Sequence, residues 1–296
     1  MDVEKAVEKA FEFLESQSDN GFYKCQLSSN RTMNNPKYSP NEIASASLIL
    51  GTAFSQNGHS NQEIVTYLKN HLREDNSISF FENKKLLPAD ADTTSYTLSA
   101  LIKSGASPMN ENHEIATKII ENQKNNQLQV YFNPEEFNRE NRFDEVALCN
   151  ISYFLFQEGF ETEAEKQLPI IRDFFTSKKY LNGSRYYFSP ETAIYFASKL
   201  IKFPKGNEQL HSSLENSLKE RIGKTDFPLD LAMRVTSAYR LGLNNDTDFQ
   251  KLISIQNSDG SFPADAIYKY GSKEEYFGSK EISTAFSIEA LMTADK

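Results

Sequence analysis

The string Leu87-Pro88-Ala89-Asp90-Ala91-Asp92-Thr93-Thr94-Ser95 sets two carboxylates two residues apart, ahead of a run, 93–102, that contains no charge. Two acids held this close cannot both ionise cheaply, so one keeps its proton to higher pH. A carboxyl group still protonated near neutrality is a usable acid. Thr93 and Thr94 can donate hydrogen bonds that orient the pair. The plain structural alternative is an Asp helix cap with a solvated neighbour.

A second string, Gln256-Asn257-Ser258-Asp259-Gly260-Ser261-Phe262-Pro263, carries a turn at Asp-Gly. Its expected role is structural, with Gln256 bonding the open end of a neighbouring helix and Phe262 stacking beneath. A degenerate copy occurs at Gln17-Ser18-Asp19-Asn20-Gly21-Phe22-Tyr23, and a weaker one at Gln123-Lys124-Asn125-Asn126-Gln127.

The elements that must position these strings are helices of two kinds. Residues 1–16 carry Val3, Ala6, Val7, Ala10, Phe11 and Leu14 on one helical face with Glu and Lys opposite. Charged amphipathic segments of the same type recur near 61–72, 111–123, 161–174, 208–222 and 246–255. Between them, 43–53, 93–102 and 146–156 have no charge, and 192–201, 231–239 and 282–292 have one each, Lys199, Arg234 and Glu289. A helix that is apolar all round is buried all round. The alternation recurs six times, which is a two-helix repeat. Start signals agree: Ser39-Pro40-Asn41-Glu42 reads as a capping box, Ser189-Pro190-Glu191 and Asp226-Phe227-Pro228 repeat the theme, and Asp92 and Asp144 can cap their own helices. The last apolar helix carries no polar outer face, which favours ring closure over an open array. The expected fold is therefore all-α, a single (α/α)6 barrel of six inner and six outer helices spanning 1–296.

In such a ring the inner-helix N-termini meet at one mouth, where dipoles and unpaired N–H groups favour anions such as diphosphate. Tyr38, Asp90, Asp92, Asp144, Tyr186, Tyr187, Phe227, Phe277 and Lys280 fall there, with Arg142 and Arg185 nearby.

The charge of −9 argues against a nucleic-acid partner, whose phosphates need a basic face. No apolar run is long enough to span a bilayer, and the acidic N-terminus does not read as a signal peptide, so a cytoplasmic protein with free thiols is expected. Trp is absent while Phe numbers 22 and Tyr 14. Zinc is not expected: Cys149 sits within an inner helix, Cys25 in a loop, and His59, His71, His113 and His211 on or beside outer helices.

Together these strings resemble the terpenoid-cyclase and protein-prenyltransferase α/α toroid superfamily. Gln256–Phe262 is similar to its QxxDGSW repeat, with Phe for Trp. Asp90–Thr94 resembles the DxDD acid motif of class II terpene cyclases in its DxDTT form, as in drimenyl-diphosphate-synthase-type cyclases, with Thr94 in place of the last acid. Tyr276-Phe277-Gly278-Ser279 and Asp144-Glu145-Val146-Ala147-Leu148-Cys149-Asn150 resemble recurrent strings of bacterial toroid proteins. The resemblance implies that Asp92 protonates the terminal alkene of an isoprenoid, with Asp90 as its partner. It implies a linear prenyl diphosphate substrate, farnesyl or geranylgeranyl, that keeps its diphosphate. Arg142, Arg185 and Lys280 would hold that group, with Mg²⁺ as its counter-ion. Asp144, Asn150 and the aromatics Tyr38, Tyr186, Tyr187, Phe227 and Phe277 would line the substrate site, ring faces stabilising cations. A partner domain or a second copy would complete the cavity.

Two rival readings share the fold: a partner-dependent, prenyltransferase-like subunit, and a non-catalytic toroid that binds an isoprenoid or lipid or acts as a scaffold. Arg234 needs a partner in either, an acid such as Asp230 or Glu215, or a bound phosphate.

Overall fold

The computed structural model describes residues 2–54, 61–203 and 208–294; His59 lies outside them. The apolar segments form helices α2 (Ala44–Thr52), α4 (Ala91–Lys103), α6 (Glu145–Gln157), α9 (Pro190–Ser198), α11 (Pro228–Leu241) and α13 (Lys280–Ala294). They alternate with amphipathic helices α1 (Val3–Gln17), α3 (Gln62–His71), α5 (His113–Glu121), α7 and α8 (Glu161–Glu165 and Leu168–Thr176), α10 (Glu208–Arg221) and α12 (Asp246–Ser254). Every residue of α2 is buried, and α4 and α6 are buried over most of their length. A charge-free surface leaves a helix no face to turn to water, and each buried Leu or Phe contributes about 1.5–3 kcal/mol. Among the described residues, no helix is long and apolar enough to cross a membrane.

The chain packs as two compact units, one of residues 1–19, 23–39 and 172–296, the other of 20–22 and 40–171. In the second unit α2 packs on α4 and α4 on α6. A backbone ribbon stitches their N-terminal ends. Ile43 N donates to Phe80 O (2.8 Å), Asp90 N to Ile78 O (3.2 Å), Ala91 N to Val130 O (2.7 Å) and Val130 N to Arg142 O (2.7 Å). The three helices therefore start at one end and run in parallel. In the first unit α9 packs on α11 and α11 on α13.

The chain is not purely helical. A four-stranded antiparallel sheet in the first unit joins β1 (Gln26–Ser28), β2 (Pro36–Lys37), β5 (Asp265–Lys269) and β6 (Tyr276–Ser279) in the order β2-β1-β6-β5. These strands of two to five residues are too short to leave an alternating pattern, which is why the sequence read as all-α.

The glycine strings act as docking turns. Gln256 Nε2 donates to Ala6 O (2.8 Å), within α1 and not at a helix end. Gly260, at φ +85°, passes so close that a Cβ would stand 2.2 Å from Lys9 O. Gly21, at φ +88°, meets α3 the same way, 2.3 Å from Glu63 O. Only glycine tolerates both the backbone angle and the approach. The weakest copy differs: Gln123–Lys124 (β3) and Gln127–Leu128 (β4) form a hairpin, with Asn125 and Asn126 both at positive φ as a type I′ turn requires.

Two start signals misplace the helix. α2 begins at Ala44, not at Pro40, because Asn41 and Ile43 are tied to residues 80–82; Glu42 accepts from Ser45 N instead. Asp226 does not cap α11 but pairs with Lys251. Ser189 does cap α9, with Pro190 as the first helical residue.

Candidate active site

Asp90 caps α4: its backbone is extended, and Oδ1 accepts from Thr93 N at 2.6 Å. Asp92, which the sequence offered as the cap, sits inside the first turn. Both carboxylates are buried. Burial first, and the charge of Asp92 second, push the Asp90 carboxyl from 3.8 up to about 7, against the pull of the Thr93 N–H. The pair thus retains a proton near neutral pH. Asp92 Oδ1 accepts from Asn150 Nδ2 at 2.8 Å, so α6 supplies the donor that orients it. Thr93 lies beside the pair. The Thr94 hydroxyl points elsewhere, accepting from Ile78 N at 3.1 Å and pinning the ribbon to α4.

Asp144 caps α6, accepting from Val146 N and Ala147 N, both at 3.0 Å. Arg142 just before it donates to the exposed Glu140 at 2.6 Å. Cys149, buried one turn along α6, donates to Glu145 O. Burial and the neighbouring Asp144 and Asp92 hold it well above the ordinary thiol range, as an uncharged thiol.

The remaining candidates lie in the first unit. Tyr38 is exposed at 87 %. Arg185 is exposed near the ring of Tyr186, and Tyr187 is buried against Phe196 and Tyr268. Phe277 is buried in β6, paired with Leu27. Lys280 opens α13 as an exposed residue. Phe227 precedes α11 with the Arg31 guanidinium stacked 3.8 Å above its ring.

Arg31 was not anticipated. It forks onto Asp265 (2.8 and 2.9 Å) and reaches Asp230 at 2.6 Å, both acids fully buried. Desolvation and the neighbouring Asp230 raise Asp265 despite Arg31, while Asp230 is held below the usual range by Arg31, Ser189 and Thr225. Arg31 stands in a polar loop of no periodicity, so nothing in the sequence marked it. Arg234 does find partners, but neither Glu215 nor a direct bond to Asp230. It donates to Asp248 (2.7 and 2.9 Å), Glu191 (3.2 Å) and Thr225, with no exposed surface.

Among the described residues, no three His, Cys, Asp or Glu side chains are grouped to hold a metal ion. No protein-family model matches the chain. A drimenol cyclase of Aspergillus calidoustus is 30% identical over 207 residues, 69% of this chain and 38% of that protein, so the chain spans well under half of that relative's length. The type II terpene cyclase MstE of Scytonema, in an unliganded variant, matches with a TM-score of 0.76 at 12% identity over 99% of this chain and 96% of that one. The chain has the class II terpene cyclase fold. A variant of the same cyclase in complex with its substrate, geranylgeranyl dihydroxybenzoate, gives 0.73 at 12% identity over 99% and 97%. A protein from Actinoplanes gives 0.79 at 13% identity over the whole of both.

Proposed function

We propose that the chain is the acid-bearing domain of a class II terpene cyclase and that its helices close as one (α/α)6 barrel. The observation that carries this reading is the buried Asp90/Asp92 pair, protonated near neutrality and braced by Asn150. The likeness to drimenol cyclase and to MstE supports it.

Asp92 is the proton donor. Its carboxyl O–H adds to the terminal alkene of a linear isoprenoid, the alkene electrons close the rings, and the final cation loses a proton or takes up water. Asp90 keeps the pair's shared proton from leaving at neutral pH, and the Asn150 amide holds Asp92 in one orientation. A dry surround strengthens each of these interactions. Phe and Tyr faces would stabilise the travelling cation.

The head group we assign is a diphosphate, kept through the reaction. Arg142 is suited to it because its contact with Glu140 is an exposed ion pair worth little on its own. Arg185 and Lys280 are the further candidates. Magnesium would be held by the diphosphate, since the described residues group no three ligands, and no step is routed through it. The chain's partial coverage of its relative fits a partner domain or second copy that completes the substrate cavity.

The test is incubation with farnesyl or geranylgeranyl diphosphate and Mg²⁺, beside Asp92→Asn, with products dephosphorylated and read by gas chromatography–mass spectrometry. A cyclic alcohol that vanishes in the variant supports the reading. Linear alcohol alone from both proteins would sink it.

A further inference from the structure

The ribbon that starts α4 also covers its acid, through Tyr131. Ala91 N donates to Val130 O at 2.7 Å and Phe132 N to Ala89 O at 2.9 Å. Asp90 and Tyr131 therefore stand directly opposite one another in an antiparallel bridge, with no backbone bond between the two. A pair of this kind brings its Cα atoms to about 4.5 Å and sets both side chains on one face. Tyr131 and Asp90 are both buried there. The same geometry turns the N–H and C=O of Tyr131 away from Asp90, toward where a further strand would have to receive them.

A side chain receives them. Asn141 Oδ1 accepts from Tyr131 N at 2.8 Å, and Asn141 Nδ2 donates to Tyr131 O at 2.7 Å. The same Oδ1 accepts from Arg142 N at 2.9 Å, and the same Nδ2 donates to Asn122 Oδ1 at 3.1 Å. The hydrogen-bonding capacity of this amide is thus fully used. Asn122 backs it, donating through Nδ2 to Gln129 O and Tyr131 O, both at 3.0 Å. The other edge of the segment so clasped carries the acid. Burial is the first cause of the proton that Asp90 keeps, and the charge of Asp92 the second. From α6, Asp144, Glu145 and Cys149 gather on the Asp92 side. Asn141 is neutral, so replacing it by another neutral residue leaves all these charges in place and changes only the cover.

We propose that Asn141, backed by Asn122, is a positioning residue for the acid: its side-chain amide stands in for a strand, holds Tyr131 against Asp90 and keeps water off the carboxyl pair. Asn141 touches neither carboxyl group and acts through the Tyr131 backbone. Its effect on turnover rests on the cyclase reading, whereas its effect on the Asp90 proton rests on the fold alone. Without the clasp, Tyr131 can part from Asp90, water reaches the carboxyl, and the charged form gains the solvation that burial denies it. The pair then gives up its proton at lower pH.

The experiment follows the Asp90 carboxyl itself. Protein labelled with ¹³C at aspartate Cγ is titrated by NMR, and the Asp90 signal is the one missing from Asp90→Asn. Wild type is expected to titrate at about 7. Asn141→Ala is expected to titrate at least about one pH unit lower as water enters. Asn122→Ala spares the two Asn141 bonds to Tyr131 and should shift the midpoint the same way by less, which decides the matter if Asn141→Ala does not fold. Gly260→Ala, strained in the other compact unit, should lose stability with the Asp90 midpoint unmoved. A wild-type midpoint at the ordinary 3.8, an unshifted midpoint in the folded Asn variants, or an equal shift in Gly260→Ala would overturn the assignment. Turnover of farnesyl diphosphate is the second readout. A fall of one unit takes the protonated fraction at pH 7 from about one half to about one tenth, so kcat should drop about fivefold. At pH 5 kcat should match wild type, with KM unchanged throughout. A kcat loss of equal size at every pH is what a merely loosened fold would give, and it also overturns the assignment. Absence of cyclic product from wild type counts against the cyclase reading alone and leaves the titration to decide the role of Asn141.

Discussion

Replacing Asp90 by Asn isolates the proton that the account depends on. Asn caps a helix as well as Asp does, and it can still accept from Thr93 N. What it removes is the titration. The unfolded chain releases the Asp90 proton near 3.8, whereas the folded chain keeps it until about 7. Between those values the unfolded state binds fewer protons, so raising the pH destabilises wild type. The slope is about 1.4 kcal/mol per pH unit. From pH 5 to pH 7 wild type should therefore lose about 2–3 kcal/mol relative to Asp90→Asn, while titrating groups that do not touch the pair cancel in the comparison. Urea unfolding of both proteins at pH 5, 6 and 7, followed by circular dichroism, measures this directly. A stability difference that stays constant across the range would refute the reasoning, because Asp90 would then ionise as an ordinary carboxylate.

Asn150→Leu keeps the branched shape of the side chain but takes the donor from Asp92. A hydrogen bond to a charged group contributes about 1.5–3 kcal/mol, so kcat should fall roughly ten- to a hundredfold with an unchanged far-ultraviolet spectrum. Gly260→Ala forces a Cβ onto the Lys9 carbonyl and should destabilise by more than about 2 kcal/mol in urea titrations. Gly242→Ala, also at positive φ but with open space around it, should lose only about 1–2 kcal/mol. Arg234→Ala leaves Asp248 and Glu191 buried beside an empty site and should cost about 3–5 kcal/mol by the same assay.

The helical repeat was legible because burial on all sides erases charge: α2, α4 and α6 could be read from composition alone. Residues that act through their immediate neighbours were legible too, as with Asp144 capping α6 and Ser189 capping α9. Asp90 and Asp92 were read as a coupled pair, though which of them caps the helix depended on where the ribbon releases the chain. Contacts made across long separations left no trace in the sequence. Gln26–Ser28 pairs with Tyr276–Ser279, and Arg31 bonds Asp265, because the fold brings distant loops together. Thr94 looked like a partner of the acids from its position, yet its hydroxyl serves Ile78, a backbone group that no motif spacing reveals.

The central claim is that the carboxyl pair delivers the proton that starts cyclisation. Turnover of farnesyl or geranylgeranyl diphosphate in deuterated water tests it most directly, with mass spectrometry of the cyclic product. One deuterium on carbon at the end where ring closure begins, and no cyclic product from Asp92→Asn, is the predicted result. A cyclic product without deuterium, or the same labelled product from Asp92→Asn at the wild-type rate, would contradict it.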